Sequence, residues 1–235
     1  MEELTNIKSY QEFEQTFDTE LAKQAESFVR VGYLLKVARD TDILSNSGYG
    51  TVAEFAEKRY GLSKDVVSRY IRINDRFSED GYSEQLANQY KGFGYSKLAI
   101  MLTLPDAVAD ALTPQMSKSD IAEVQKEVKE EQKITDLEVM MEQKEPKQQG
   151  LSNNLERFFY QYGYDNKDIF EKLAKARISA GDFAENIMNV IAPSGIATIT
   201  VRIKGQGKFL LSIKGKDELI HVVNMREDST EKFQW

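Results

Sequence analysis

Residues 51–77, TVAEFAEKRYGLSKDVVSRYIRINDRF, carry the strongest local signals in the chain. Thr51 is placed to cap a helix, and Glu54 three residues on completes a capping-box pattern. Val52, Phe55 and Ala56 give that helix an apolar face at helical spacing. Tyr60-Gly61-Leu62 breaks the pattern, and Gly61 tolerates the left-handed backbone of a helix end. Ser63 is a good cap for a second helix beginning at Lys64. Val66 or Val67, with Tyr70, Ile71 and Phe77, face inward on it, and Lys64, Ser68, Arg69, Arg72 and Arg76 largely outward.

This spacing is what a helix-turn-helix requires. Ala56 lets the helices approach, Gly61 permits the turn, and a branched valine fills the angle between them. The outward face of the second helix then reaches base edges and phosphates. Ser63, Lys64, Ser68, Arg69 and Arg72 are the expected major-groove residues, arginine offering a bidentate pair to guanine. Arg76 and Lys97 are expected at phosphates. The competing reading is an ordinary helical hairpin, and the first helix runs one residue longer before Gly61 than in the tightest forms of the motif.

Composition narrows the chemistry. The 235 residues are 41% hydrophobic and 29% charged, as in a globular protein with some solvated linker. The sequence has no cysteine, which excludes disulfides, thiolate metal sites and cysteine nucleophiles. His221 is the single histidine and lies within a strand-like run, so no Ser-His-Asp centre is expected. Gly205-Gln206-Gly207 reads as a hairpin turn between strands, not as a phosphate loop. No catalytic residue, cofactor or metal is therefore expected, a nuclease of scattered carboxylates being a minor alternative. No apolar run approaches a membrane span and the acidic start does not read as a signal peptide, so a cytoplasmic protein is expected. The net charge of -7 argues against indiscriminate nucleic-acid binding, while residues 64–76 are locally basic.

The expected fold class is α+β in two domains. Residues 1–20 form an N-terminal arm or short helix, with Leu4, Ile7, Tyr10, Phe13 and Phe17 at near-helical intervals. Residues 21–128 form an all-α helix-turn-helix domain. Within it, Ala25, Phe28, Val29, Gly32 and Leu35 make one stripe, Gly32 serving close packing or a kink. Short helices are expected over Tyr82–Tyr90, Tyr95–Leu102 and Pro105–Leu112, and a longer one from Asp120, capped by Ser117 or Ser119. Residues 129–150 read as a charged helix and linker, with Ile134, Leu137, Val139 and Met140 or Met141 available for self-association.

Residues 151–235 read as a smaller α+β domain. Two helices broken at Gly163–Asp165 and a third over Phe183–Ile191 lead into runs with period two. These runs, 196–203, 208–213 and 218–224, with Phe233–Trp235 as a last short strand, predict a three- or four-stranded antiparallel meander packed on helices. Arg202, Lys204, Lys208, Lys214 and Lys216 cluster near its turns. They form either a second contact surface, for phosphates or an acidic protein, or a lysine-guarded sheet edge.

The order of the first motif, then GYSKLAIMLTLPDAVADAL (94–112), then MSKSDIAEVQKEV (116–128), resembles the central DNA-binding domain of ParB/KorB-type partition proteins. The resemblance spans residues 48–128 and implies an all-α domain that binds double-stranded DNA, with residues 95–102 following the reading helix. The family's N-terminal nucleotide-binding motifs have no counterpart, so a CTP-switched clamp is not implied. RVGYLLKVARD (30–40) with residues 48–77 also resembles proteins of Firmicutes conjugative elements and phages. Some of that loose group are anti-CRISPR inhibitors of the type II effector nuclease, but no inhibitory residue carries over. The expectation is thus a non-enzymatic DNA-binding regulator or partition-like factor of a mobile element. The alternative is an inhibitor that binds the CRISPR effector nuclease with its guide RNA. Paired half-sites would ask for a homodimer.

Overall fold

The computed structural model describes residues 27–41, 44, 48–142, 150–169, 171, 187, 189–215 and 217–234. The expected N-terminal arm, Lys216, Trp235 and most of the expected Phe183–Ile191 helix lie outside them. The fold is mixed α and β, with a four-stranded antiparallel sheet. Among the described residues no helix is long and apolar enough to cross a membrane. The chain divides into two compact units between Leu102 and Thr103.

In the first unit, α1 (residues 27–40), α2 (Val52–Tyr60), α3 (Lys64–Phe77) and α4 (Tyr95–Met101) follow one another. Leu35, Ala56, Val67 and Ile71 form a small core that ties α1, α2 and α3 together. Gly32 lets α1 and α3 touch at the backbone, since a Cβ there would stand 2.4 Å from the Tyr70 carbonyl oxygen. Gly32→Ala is therefore expected to destabilise this unit by about 1–3 kcal/mol, read as a lower urea midpoint.

Asn74 is wholly buried in α3 and donates to the Val29 and Ser83 carbonyls, at 3.1 and 2.6 Å. Lys36 is buried too, paired with Asp75 at 2.6 Å and lying over the Tyr82 ring. The short helix expected over Tyr82–Tyr90 is not formed. Instead the Glu79 amide donates to Gln85 (3.0 Å) and the Ala87 amide to Phe77 (2.9 Å), pinning the segment across the end of α3. Only a 3-10 turn, Asn88–Tyr90, remains helical there.

In the second unit the sheet runs β1 (Ala197–Ile203), β2 (Gly207–Ile213), β3 (Ile220–Asn224), β4 (Ser229–Phe233) in simple order. The last strand therefore begins earlier than the expected Phe233–Trp235. Alternation gives the sheet two buried faces. Val201, Ile203, Phe209, Leu211, Ile213, Ile220 and Val222 pack on one side against Phe158 and Ile191. Phe158 belongs to α8 (Asn154–Asp165), which runs through Gly163, where a break was expected, and is capped by Asn166.

The other face meets α5 (Asp106–Ala111), α6 (Lys118–Glu131) and α7 (Asp136–Met141). The Ser212 hydroxyl donates to the Ala111 carbonyl, and Thr200 to Glu127 at 3.0 Å. The expected boundary after residue 128 is thus displaced. Residues 103–142 fall in the same compact unit as the sheet, and Glu127, Glu131 and Glu142 pair with cations on it.

Candidate nucleic-acid interface

The turn between α2 and α3 is built by local chemistry. The Thr51 hydroxyl accepts from the Glu54 amide at 3.1 Å, and the Glu54 carboxylate takes the Gly50 amide at 2.9 Å. Hydrogen bonds from Lys58 and then the Gly50 amide hold Glu54 below the usual carboxylate range. Gly61 has φ 69°, and its amide and that of Leu62 close the end of α2 on the Glu57 and Ala56 carbonyls. Ser63 then caps α3 through the Val66 amide, and Asp65 lies in the first turn, where a negative charge suits the helix dipole. Of the two candidate valines, Val67 is the one driven into the core.

Burial of Val67, Ile71, Ile73, Asn74 and Phe77 fixes the rotation of α3. Lys64, Ser68 and Arg72, each four residues from the next, are left exposed in one row with Arg69 beside it. Arg72 and Lys64 make no hydrogen bond or ion pair among the described residues. Arg69 reaches the Tyr95 hydroxyl on α4 at 3.4 Å, a long contact that orients the guanidinium and leaves most of its donors unused. Tyr95 was not among the expected site residues, because 26 residues separate it from Arg69 and no periodicity links them.

The two expected phosphate contacts are less open than the row on α3. Arg76 is half-buried, donates to the Met101 carbonyl at 2.8 Å and lies 5.4 Å from the Phe77 ring centre. It clamps α3 to the end of α4. Lys97 is half-buried on α4. Ser63 is exposed, but its hydroxyl serves the cap.

The proposed second basic surface is largely consumed within its own unit. Arg202 pairs with Glu131 and Glu142, and Lys208 with Glu127 at 3.3 Å. Lys214 is half-buried and donates to the Asp110 carbonyl at 2.6 Å. Burial lowers its pKa, against attraction from Glu218. Lys204 stands exposed on the β1–β2 turn, and Lys216 lies outside the described residues.

His221 lies opposite Ser212 and Lys232 on its neighbouring strands. Burial, with Lys214 and Lys232 nearby, lowers its pKa to about 4. The unfolded ring binds its proton at higher pH, so this stability is complete above about pH 6.5 and declines as pH falls towards the folded value. Urea unfolding is expected to show about 1 kcal/mol lost between pH 7 and 5, solvent screening trimming the full shift. His221→Asn should lack that slope.

No protein-family model, curated protein or solved structure matches the chain.

Proposed function

We propose that the chain is a non-enzymatic helix-turn-helix DNA-binding protein in which α3 is the reading helix. The observation that carries this reading is the exposed row of Lys64, Ser68 and Arg72 with Arg69, presented by a capped, glycine-hinged helix pair and paired with no carboxylate among the described residues. Arg69 and Arg72 read guanines, Ser68 and Lys64 add base or phosphate contacts, and Arg76 supports the helix from behind. A regulator or partition-like factor of a mobile element is the role that the sequence resemblance supports.

The nuclease-inhibitor alternative draws less support, since Glu127, Glu131, Asp136 and Glu142 pair with cations of the chain's own second unit. Selection from random duplex oligonucleotides at moderate salt tests the proposal. Enrichment of a guanine-containing motif is the expected result, and a pool that stays random contradicts it.

A further inference from the structure

The two edges of the sheet are guarded differently. β4, STEKF, is short, carries Glu231 and Lys232, and follows Asp228 in a left-handed conformation (φ 49°). Charge and irregular backbone of this kind discourage a further strand. β1, ATITVRI, is longer, rich in β-branched residues, and without lysine, proline or glycine. Its one charge, Arg202, is turned onto Glu131 and Glu142. Among the described residues no strand pairs with its outer side.

Beside that open edge lies a cleft of about 380 Å³ between α6 and β1. Asp120, Glu123 and Glu127 line its helical wall, and Thr198 and Thr200 its strand wall. Glu127 is met by Thr200 and Lys208, and Asp120 caps its own helix. Glu123 is exposed and meets no cation among the described residues. A strand laid along β1 would place alternate side chains on the α6 face, where they meet carboxylates.

We infer that the outer edge of β1 accepts an extended segment of a basic partner protein. The segment pairs as a fifth strand and directs lysine or arginine side chains at Asp120 and Glu123. Main-chain hydrogen bonds supply the affinity and the acidic wall the selectivity. A second copy of this chain suits the edge less well. Two-fold pairing of β1 with β1 would set both acidic α6 helices on the same face of one continuous sheet, with like charges adjacent. This surface is independent of the DNA reading and can fail or stand without it.

Amide hydrogen exchange of the full chain tests the inference, with short peptides of alternating lysine and threonine, or glutamate and threonine, at millimolar concentration. The basic peptide is expected to slow exchange at alternate β1 residues by about tenfold or more, and the acidic one to leave them unchanged. Glu123→Lys alters only an exposed side chain and should weaken the basic peptide by about fivefold. No protection by the basic peptide, or equal protection by both, overturns the inference. So does β1 protection that rises with protein concentration alone, which would assign the edge to a second copy.

Discussion

Replacing Glu131 with alanine is expected to remove about 3–5 kcal/mol of stability, the usual effect of deleting one partner from a buried ion pair. Glu131 ends α6, is 2% exposed, and bridges Arg202 on β1 and Arg226 after β3. Its removal leaves Arg202 facing Glu142 alone and Arg226 facing Asp136 alone. Arg226 also donates to the Glu131 and Ile134 carbonyls, so one arginine holds the α6–α7 corner to the β3–β4 turn. Gly207 leaves room for this carboxylate, since a Cβ there would stand 2.7 Å from a Glu131 oxygen. Glu131→Gln keeps the shape and some hydrogen bonds and should lose less. Urea midpoints for the two variants, at neutral pH, measure the difference.

Acid reaches the same network by another route. Burial pushes the Glu142 carboxyl up, but hydrogen bonds from Arg202 and the Gly205 amide outweigh it and hold the pKa below the usual range. Its contribution is therefore present above the unfolded carboxylate pKa and is lost as pH falls through the folded one.

The second large effect concerns function. The double variant Arg69→Ala/Arg72→Ala is expected to lose about 2–6 kcal/mol of discrimination per half-site, roughly 30-fold to 10⁴-fold, if each arginine holds a guanine. Stability should change by no more than about 0.5 kcal/mol, because both side chains are exposed and the Arg69–Tyr95 contact is long. Arg76→Ala should behave in the opposite way. It removes the clamp on the Met101 carbonyl and lowers stability, with a smaller direct effect on base preference.

The parts of this chain legible in the sequence are those fixed by neighbours a few residues apart. Thr51, Gly61 and Ser63 mark the helix ends by side-chain and backbone chemistry that needs no tertiary partner. Period-two alternation exposed the strands in the same way. Ile73 and Asn74 escaped notice because α3 is covered on more than one side, and a single apolar stripe describes only one of them.

The charged stretch expected as a helix and linker over residues 129–150 hides its ion pairs for a different reason. The cations that Glu131, Asp136 and Glu142 meet lie 60 to 95 residues away, on β1 and in the β3–β4 turn, where no local pattern reveals the pairing. The same blindness made the sheet's basic residues look like a contact surface. Arg202 and Lys208 are in fact the sheet's half of an internal ion-pair network. Of the expected self-association residues, Val139 is buried in its own unit, while Leu137, Met140 and Met141 stand exposed.

Competition binding tests the central claim most directly, with the duplex enriched by selection set against its scrambled counterpart for the native chain and for Arg69→Ala/Arg72→Ala. The native chain is predicted to prefer the selected duplex by about 10³-fold or more at physiological salt, and the double variant to lose at least about 30-fold of that preference. A native chain without preference, or a double variant that keeps it, would contradict the assignment of α3 as the reading helix.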